Sequence, residues 1–174
     1  NGDAYNIAIG YSSGSEITTG TQNTLIGGLA GDALTTGVHN VALGYKALTT
    51  EDTGNYSVAI GSGALEDQNY DGATHNVAVG FDAGTNVSTG IHNVLIGGEV
   101  ADTLTTGSRN IAIGRKALQS ESGGGRNIAI GYQALYTQNA GTDAYNVAVG
   151  YDAGLSVTTG IENTIVGGLA GDAL

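Results

Sequence analysis

Asn127-Ile-Ala-Ile-Gly-Tyr-Gln-Ala-Leu135 is one statement of a phrase that returns along the whole chain. Its head reads Asn, a β-branched residue, a small or apolar residue, an apolar residue, then Gly. Copies open at Asn6, Asn23, Asn40, Asn76, Asn93, Asn110, Asn127, Asn146 and Asn163, and Ser57 opens a tenth. Seven of the nine steps between openings are equal. The steps from Ser57 to Asn76 and from Asn127 to Asn146 are each longer by two. A unit this short cannot bury a core of its own, so each copy is expected to be one rung of a solenoid.

Four steps make a larger period, in which the longer step always comes last. Asn6-Ile-Ala-Ile-Gly-Tyr returns at Asn76 and again at Asn146, with Val for Ile in both and Phe81 for Tyr in the first. The chain therefore divides into four-rung units at 4–73 and 74–143 and a partial unit at 144–174. Neither end carries a polar capping repeat, which solenoids normally need. The expectation is a single repetitive segment, 1–174, within a longer fibre.

Within the phrase, successive residues should point to opposite sides of a short strand. Positions two and four are Val, Ile or Thr and Ile, Leu or Val. Position three is Ala in seven rungs and Leu25, Leu95 or Ile165 in the others. A short apolar run reads as a strand covered on both faces. One face fills the rung, and the other needs a second cover, most simply another copy of the chain. After the Gly a second short strand is expected, ending at Ala30, Ala47, Ala64, Ala83, Ala117, Ala134, Ala153 and Ala170.

Each rung then supplies one apolar plug. In one type it follows the Ala directly, at Leu48, Leu65, Leu118 and Leu135. In the other it comes later, at Ile17, Leu34, Val87, Leu104, Val157 and Leu174. A missing plug would leave a cavity costing ~2–5 kcal/mol. The phrase Asn recurs at the rung edge, where stacked Asn side chains can bond to one another and to backbone. Of the 31 Gly of the chain, ten stand at the fifth phrase position and eight lie ten places later. At such corners φ > 0 or close backbone approach is expected.

Composition narrows the function classes. There is no Cys, Pro, Met or Trp, hence no disulfide framework and no Cys-based metal site. The net charge is −11, and the basic residues are only Lys46, Arg109, Arg115, Lys116 and Arg126. That field is too weak for nucleic acid or an anionic membrane. No apolar run approaches the ~20 residues of a membrane span, and no signal-peptide pattern opens the sequence.

Candidates for chemistry are better explained by the repeat. His39, His75 and His92 occupy the slot before the phrase Asn, which also holds Tyr, Gln, Arg and Glu, so no fixed ligand set results. Asp82 and Asp152 share one register, and Asp32, Asp102 and Asp172 another, without a calcium-roll motif. Thr-Thr-Gly at 18–20, 35–37, 105–107 and 158–160 is missing from the other six rungs and forms no unbroken ice-binding array. The glycosylation-like triplets at Asn55 and Asn86 are weak signals in an Asn-rich repeat. No catalytic, cofactor or metal residues are assigned, and no enzyme is expected. The departures from register are the longer loops at 66–73 and 136–143. Their Tyr70, Asp71, Tyr136 and Asn139 are of types that bind sugars, and they are the candidate ligand residues.

Asn127-Ile-Ala-Ile-Gly-Tyr-Gln-Ala-Leu135 and Asn40-Val-Ala-Leu-Gly-Tyr-Lys-Ala-Leu48 resemble the YadA-like head repeat of trimeric autotransporter adhesins. Similar, longer repeats occur in phage tail fibres and related surface fibres. The resemblance runs across all ten rungs. It implies a left-handed parallel β-roll assembled as a homotrimer, outside the cell, on a phage virion tail fibre or a bacterial surface. It implies adhesion or host attachment, and the residue types of the longer loops suggest a host or surface glycan as partner. The rungs here are longer than those of the adhesin heads, which favours the fibre-like branch. The alternatives are a structural shaft spacing a distant receptor-binding tip, and a monomeric ice- or polysaccharide-binding solenoid.

Overall fold

A computed structural model describes residues 4–173. Ten three-residue strands follow one another: β1 (Ile7–Ile9), β2 (Thr24–Ile26), β3 (Val41–Leu43), β4 (Val58–Ile60), β5 (Val77–Val79), β6 (Val94–Ile96), β7 (Ile111–Ile113), β8 (Ile128–Ile130), β9 (Val147–Val149) and β10 (Thr164–Val166). They form one parallel sheet in strict sequence order, each strand paired with the next copy of the phrase. Position three aligns with position three throughout, as in Ala42 with Ala59 and Ala78 with Leu95. The chain is an all-β solenoid, and each phrase of the sequence forms one of its rungs.

The expected second strand does not form. After the phrase Gly the backbone turns sharply, because Leu29, Lys46, Asp82, Glu99, Lys116, Gln133 and Asp152 adopt φ of 50 to 60. A left-handed residue cannot extend a strand. Inter-rung bonds hold these unfavourable conformations: Leu29 N–H donates to Tyr11 O at 2.8 Å, and Asp82 N–H to Ser62 O at 2.9 Å. The same logic holds Leu48 and Leu65, whose N–H groups donate to Ala64 O and Ala83 O. Stacking thus over-determines a geometry that an isolated rung would not keep.

Two glycines illustrate the two register columns. Gly27 has φ 139, and a Cβ there would collide with Gly44 O of the next rung. Gly37 has no left-handed φ, but a Cβ would meet Gly54 O at 2.5 Å. Gly27 needs both freedom and closeness, Gly37 only closeness.

The strands present position three inward. Leu25, Ala42, Ala59, Ala78, Leu95, Ala112, Ala129 and Ala148 are fully buried. Positions two and four face outward and stay half-buried or exposed, as with Val58 and Ile60. The interior explains the four-rung period by volume. Where position three is Leu25 or Leu95, the plug position beside it is Gly or Ala, at Gly14, Gly31, Gly84 and Ala101. A Cβ on Gly14 would come 2.8 Å from Leu25 Cδ1, and one on Gly84 2.5 Å from Leu95 Cδ1. Where position three is Ala, Leu48, Leu65, Leu118 or Leu135 fills the gap, all fully buried. The later plugs Leu34, Val87, Leu104 and Val157 are buried as expected. Ile17 is partly buried in the first rungs, and Leu174 lies outside the described residues.

Candidate functional site

The Asn column is the most regular polar element. Asn40 Nδ2 donates to Gly54 O at 2.8 Å within its rung, and Asn40 Oδ1 accepts Ser57 N–H of the next at 2.9 Å. Asn93 and Asn110 repeat the pattern. These side chains are buried and satisfied by backbone, so the column is structural and offers no ligand-binding row.

The longer rungs break this pattern. Two extra residues displace the carbonyl that the Asn amide would meet. In the first such rung Ser57 replaces Asn, and its hydroxyl bonds Thr74 Oγ1 at 2.5 Å and Gln68 Nε2 at 2.7 Å. In the second, Asn127 remains, and its buried Nδ2 has no partner among the described residues.

The two loops are not equivalent. Matching the four-rung units residue by residue places Tyr70 opposite Ala140 and Tyr136 opposite Glu66, so the two tyrosines occupy different positions. Tyr70 is half-buried, with its ring edge 3.4 Å from where a Cβ on Gly72 would stand. Exposed Asp71 accepts a bond from Thr53 Oγ1 at 2.6 Å. Tyr136 is half-buried in the rung wall, with its carbonyl accepting Ser120 N–H. Exposed Asn139 accepts Ser122 Oγ at 3.2 Å, and its N–H donates to Thr158 O. Tyr70 and Asp71 thus sit in one loop and Tyr136 and Asn139 in the other, four rungs and ~19 Å apart at ~4.8 Å per rung. The hollow of about 200 Å³ lined by Val157, Thr158, Gly160 and Asn163 lies in the last rungs, and none of the four candidates lines it, although Asn139 N–H bonds the Thr158 carbonyl at its edge.

The slot before the phrase Asn becomes an exposed ladder. His39, Tyr56, His75 and His92 stack ring on ring, with centroids 5.2, 5.1 and 5.2 Å apart. Arg126 lies over Tyr145 at 5.4 Å in the same column. All take φ of 51 to 64, which aims each side chain outward at the rung spacing. Stacking therefore follows from register. No group of three or more His, Asp or Glu side chains that could hold a metal occurs among the described residues.

Most of the positive charge is neutralised locally. Lys46 pairs with Glu66 at 2.8 Å, Arg115 and Lys116 with Glu99 at 3.0 and 3.3 Å, and Arg126 with Asp143 at 2.6 Å. The Lys116 and Arg115 side chains hold the Glu99 carboxyl below its ordinary range. No helix among the described residues is long and apolar enough to cross a membrane.

Sequence reasoning missed Glu51 and Glu121. Both are fully buried, as are Gln68 and Gln138 beside them. The glutamates stand in the register of the plugs Leu34 and Leu104, one rung on, and the glutamines two rungs on. Aligning that column by rung would have exposed them, because a charged residue there cannot reach solvent.

The outward sheet face remains as an apolar strip. Ile60 and Ile96 are each 37% exposed in the middle of the rod. Exposed rings flank the strip, with Tyr45, Phe81, Tyr132 and Tyr151 on one side and Tyr56 and Tyr145 on the other. Comparison with protein-family models, with curated proteins and with solved structures finds no match for this chain.

Proposed function

We propose that this chain is a non-enzymatic segment of a homotrimeric extracellular fibre, of the phage tail-fibre or bacterial surface-adhesin kind, serving host or surface attachment. The outward sheet face carries the reading. Ten strands present Val, Ile, Leu and Thr at positions two and four with no cover from their own chain. A strip three residues wide and ten rungs long measures roughly 10 by 48 Å, or ~480 Å². A stable partner contact needs ~800 Å² per side. The strip alone falls short, but adding the flanking ring columns about doubles its width and reaches that size. Two further copies of the chain, related by a threefold axis along the rod, would cover it. The YadA-like resemblance of the phrase agrees with this arrangement.

Within that assembly the segment acts as a shaft, with receptor recognition elsewhere on the fibre. The non-equivalence of Tyr70 and Tyr136 supports this, since a duplicated sugar site would place its rings alike. A glycan array probed with the isolated segment tests the assignment. The shaft reading expects no reproducible hit. A hit lost in both Tyr70→Ala and Tyr136→Ala would move recognition to the loops.

A further inference from the structure

We infer that Glu51 and Glu121 are internal latches, each holding one of the longer loops closed against the rod, so that either loop can be released without unfolding the solenoid. The two carboxylates make the same set of bonds, one four-rung unit apart. Glu51 Oε1 accepts Gly54 N–H at 2.7 Å, and its Oε2 accepts Gln68 Nε2 at 3.0 Å and Tyr70 N–H at 3.3 Å. Glu121 Oε1 accepts Gly124 N–H at 2.7 Å, and its Oε2 accepts Gln138 Nε2 at 3.2 Å and Ala140 N–H at 3.1 Å. Gln68 Oε1 and Gln138 Oε1 then accept Nδ2 of Asn76 and Asn146, at 2.8 and 2.9 Å. Every group facing each carboxylate in these bonds is an N–H donor. The two oxygens of each carboxyl group supply the acceptors.

The bonds fall where the extra residues enter. Tyr70 and Ala140 are the corresponding loop residues, and each N–H points inward to the carboxylate of the preceding rung. A shorter rung can carry an apolar plug in this column, as at Leu34 and Leu104. Glu appears only in the rung before a longer loop, and Gln only in the rung that carries it. The polar pair is therefore tied to the loop and not to the stack in general. The outer ties differ between copies: Thr53 holds Asp71 in the first loop, whereas Arg126 and Ser122 hold Asp143 and Asn139 in the second. Both loops also make equivalent backbone bonds to the next rung, Asn69 N–H to Ser88 O and Asn139 N–H to Thr158 O, and the internal latch is the buried side-chain tie that they share.

Hydrogen exchange on the full chain tests this. Glu51→Leu and Glu121→Leu place in the column a residue that it already holds elsewhere, so the stack should persist. Loss of the acceptor for an inward N–H predicts about tenfold less protection at the Tyr70 amide in Glu51→Leu, and at the Ala140 amide in Glu121→Leu. Strand amides such as Val77 and Val147 should keep their protection, and each variant should leave the other loop unchanged. Glu51→Ala and Glu121→Ala serve as second variants should leucine strain the loop, and the same local losses are expected. Unchanged loop protection, or equal loss across all rungs, would overturn the latch.

Discussion

Replacing Leu95 with alanine opens a cavity that two rungs share. Leu95 is fully buried, and its Cδ1 lies 2.5 Å from where a Cβ on Gly84, one rung earlier, would stand. Truncating a buried leucine costs ~3–5 kcal/mol, depending on how far the site collapses. Collapse is limited here, because neighbouring backbones are fixed by inter-rung bonds. Gly84→Ala alone should also destabilise. Its methyl would meet Leu95 Cδ1 at 2.5 Å and Val87 Cγ2 at 3.2 Å. Overpacking of that kind costs about 1–3 kcal/mol, and a side chain at the left-handed Gly84 backbone adds about 1 kcal/mol. In the double variant the clashing Cδ1 is gone and the new methyl enters the vacated space. The pair should then be less destabilised than the sum of the singles by about 1–3 kcal/mol. Urea unfolding followed by far-ultraviolet circular dichroism measures this, at one fixed chain concentration because association shifts the midpoint. Additivity within about 0.5 kcal/mol would refute the idea that Leu95 fills the volume left by Gly84.

Transplanting the first unit's solution into the second, Asn127→Ser with Ala144→Thr, should raise stability by about 1 kcal/mol by removing an unpartnered buried amide; a thermal midpoint that falls would contradict the role given to Ser57 and Thr74. Ala129→Asp and Ala148→Asp should abolish β-structure, since a buried unpaired carboxylate costs at least about 3–5 kcal/mol, whereas Ile130→Asp on the outward face should separate chains and leave the dichroism spectrum intact. Burial lifts the Glu51 carboxyl above its ordinary 4.5, against the pull of Gln68, Gly54 and Tyr70 as donors. The folded chain then holds this proton to higher pH than the unfolded chain does, so the group's contribution is full below about 4.5 and falls as pH rises through the lifted value. The thermal midpoint of wild type relative to Glu51→Leu should decline across that window, and a relative midpoint that rises with pH would contradict the assignment.

The strands, their parallel order, the Asn column and the four-rung period were legible because each is periodic in residue type. The turn after the phrase Gly was not. Ala30 and Ala47 end short segments expected as strand, and nothing in the residue types of Leu29 or Lys46 announces a left-handed backbone. Inter-rung bonds impose that conformation against local preference. The inward face was also undecided, because Ala at position three is compatible with either side, and only the fit of Leu25 against Gly14 and Gly31 settles it. Glu51 and Glu121 were missed because their column was not known to be internal. Of the candidate ligand residues, the loops were legible as breaks in register. The differing places of Tyr70 and Tyr136 were not, because both loops share a composition rich in Asn, Asp, Gln and Tyr.

Cover of the outward apolar strip by two further copies of the chain is the claim on which the proposed function rests. Sedimentation equilibrium of the segment at micromolar concentration tests it most directly. The expected result is a single species with the mass of three 17.3 kDa chains, converted to monomer by Ile130→Asp. A stable species of one chain with intact β-structure would contradict it.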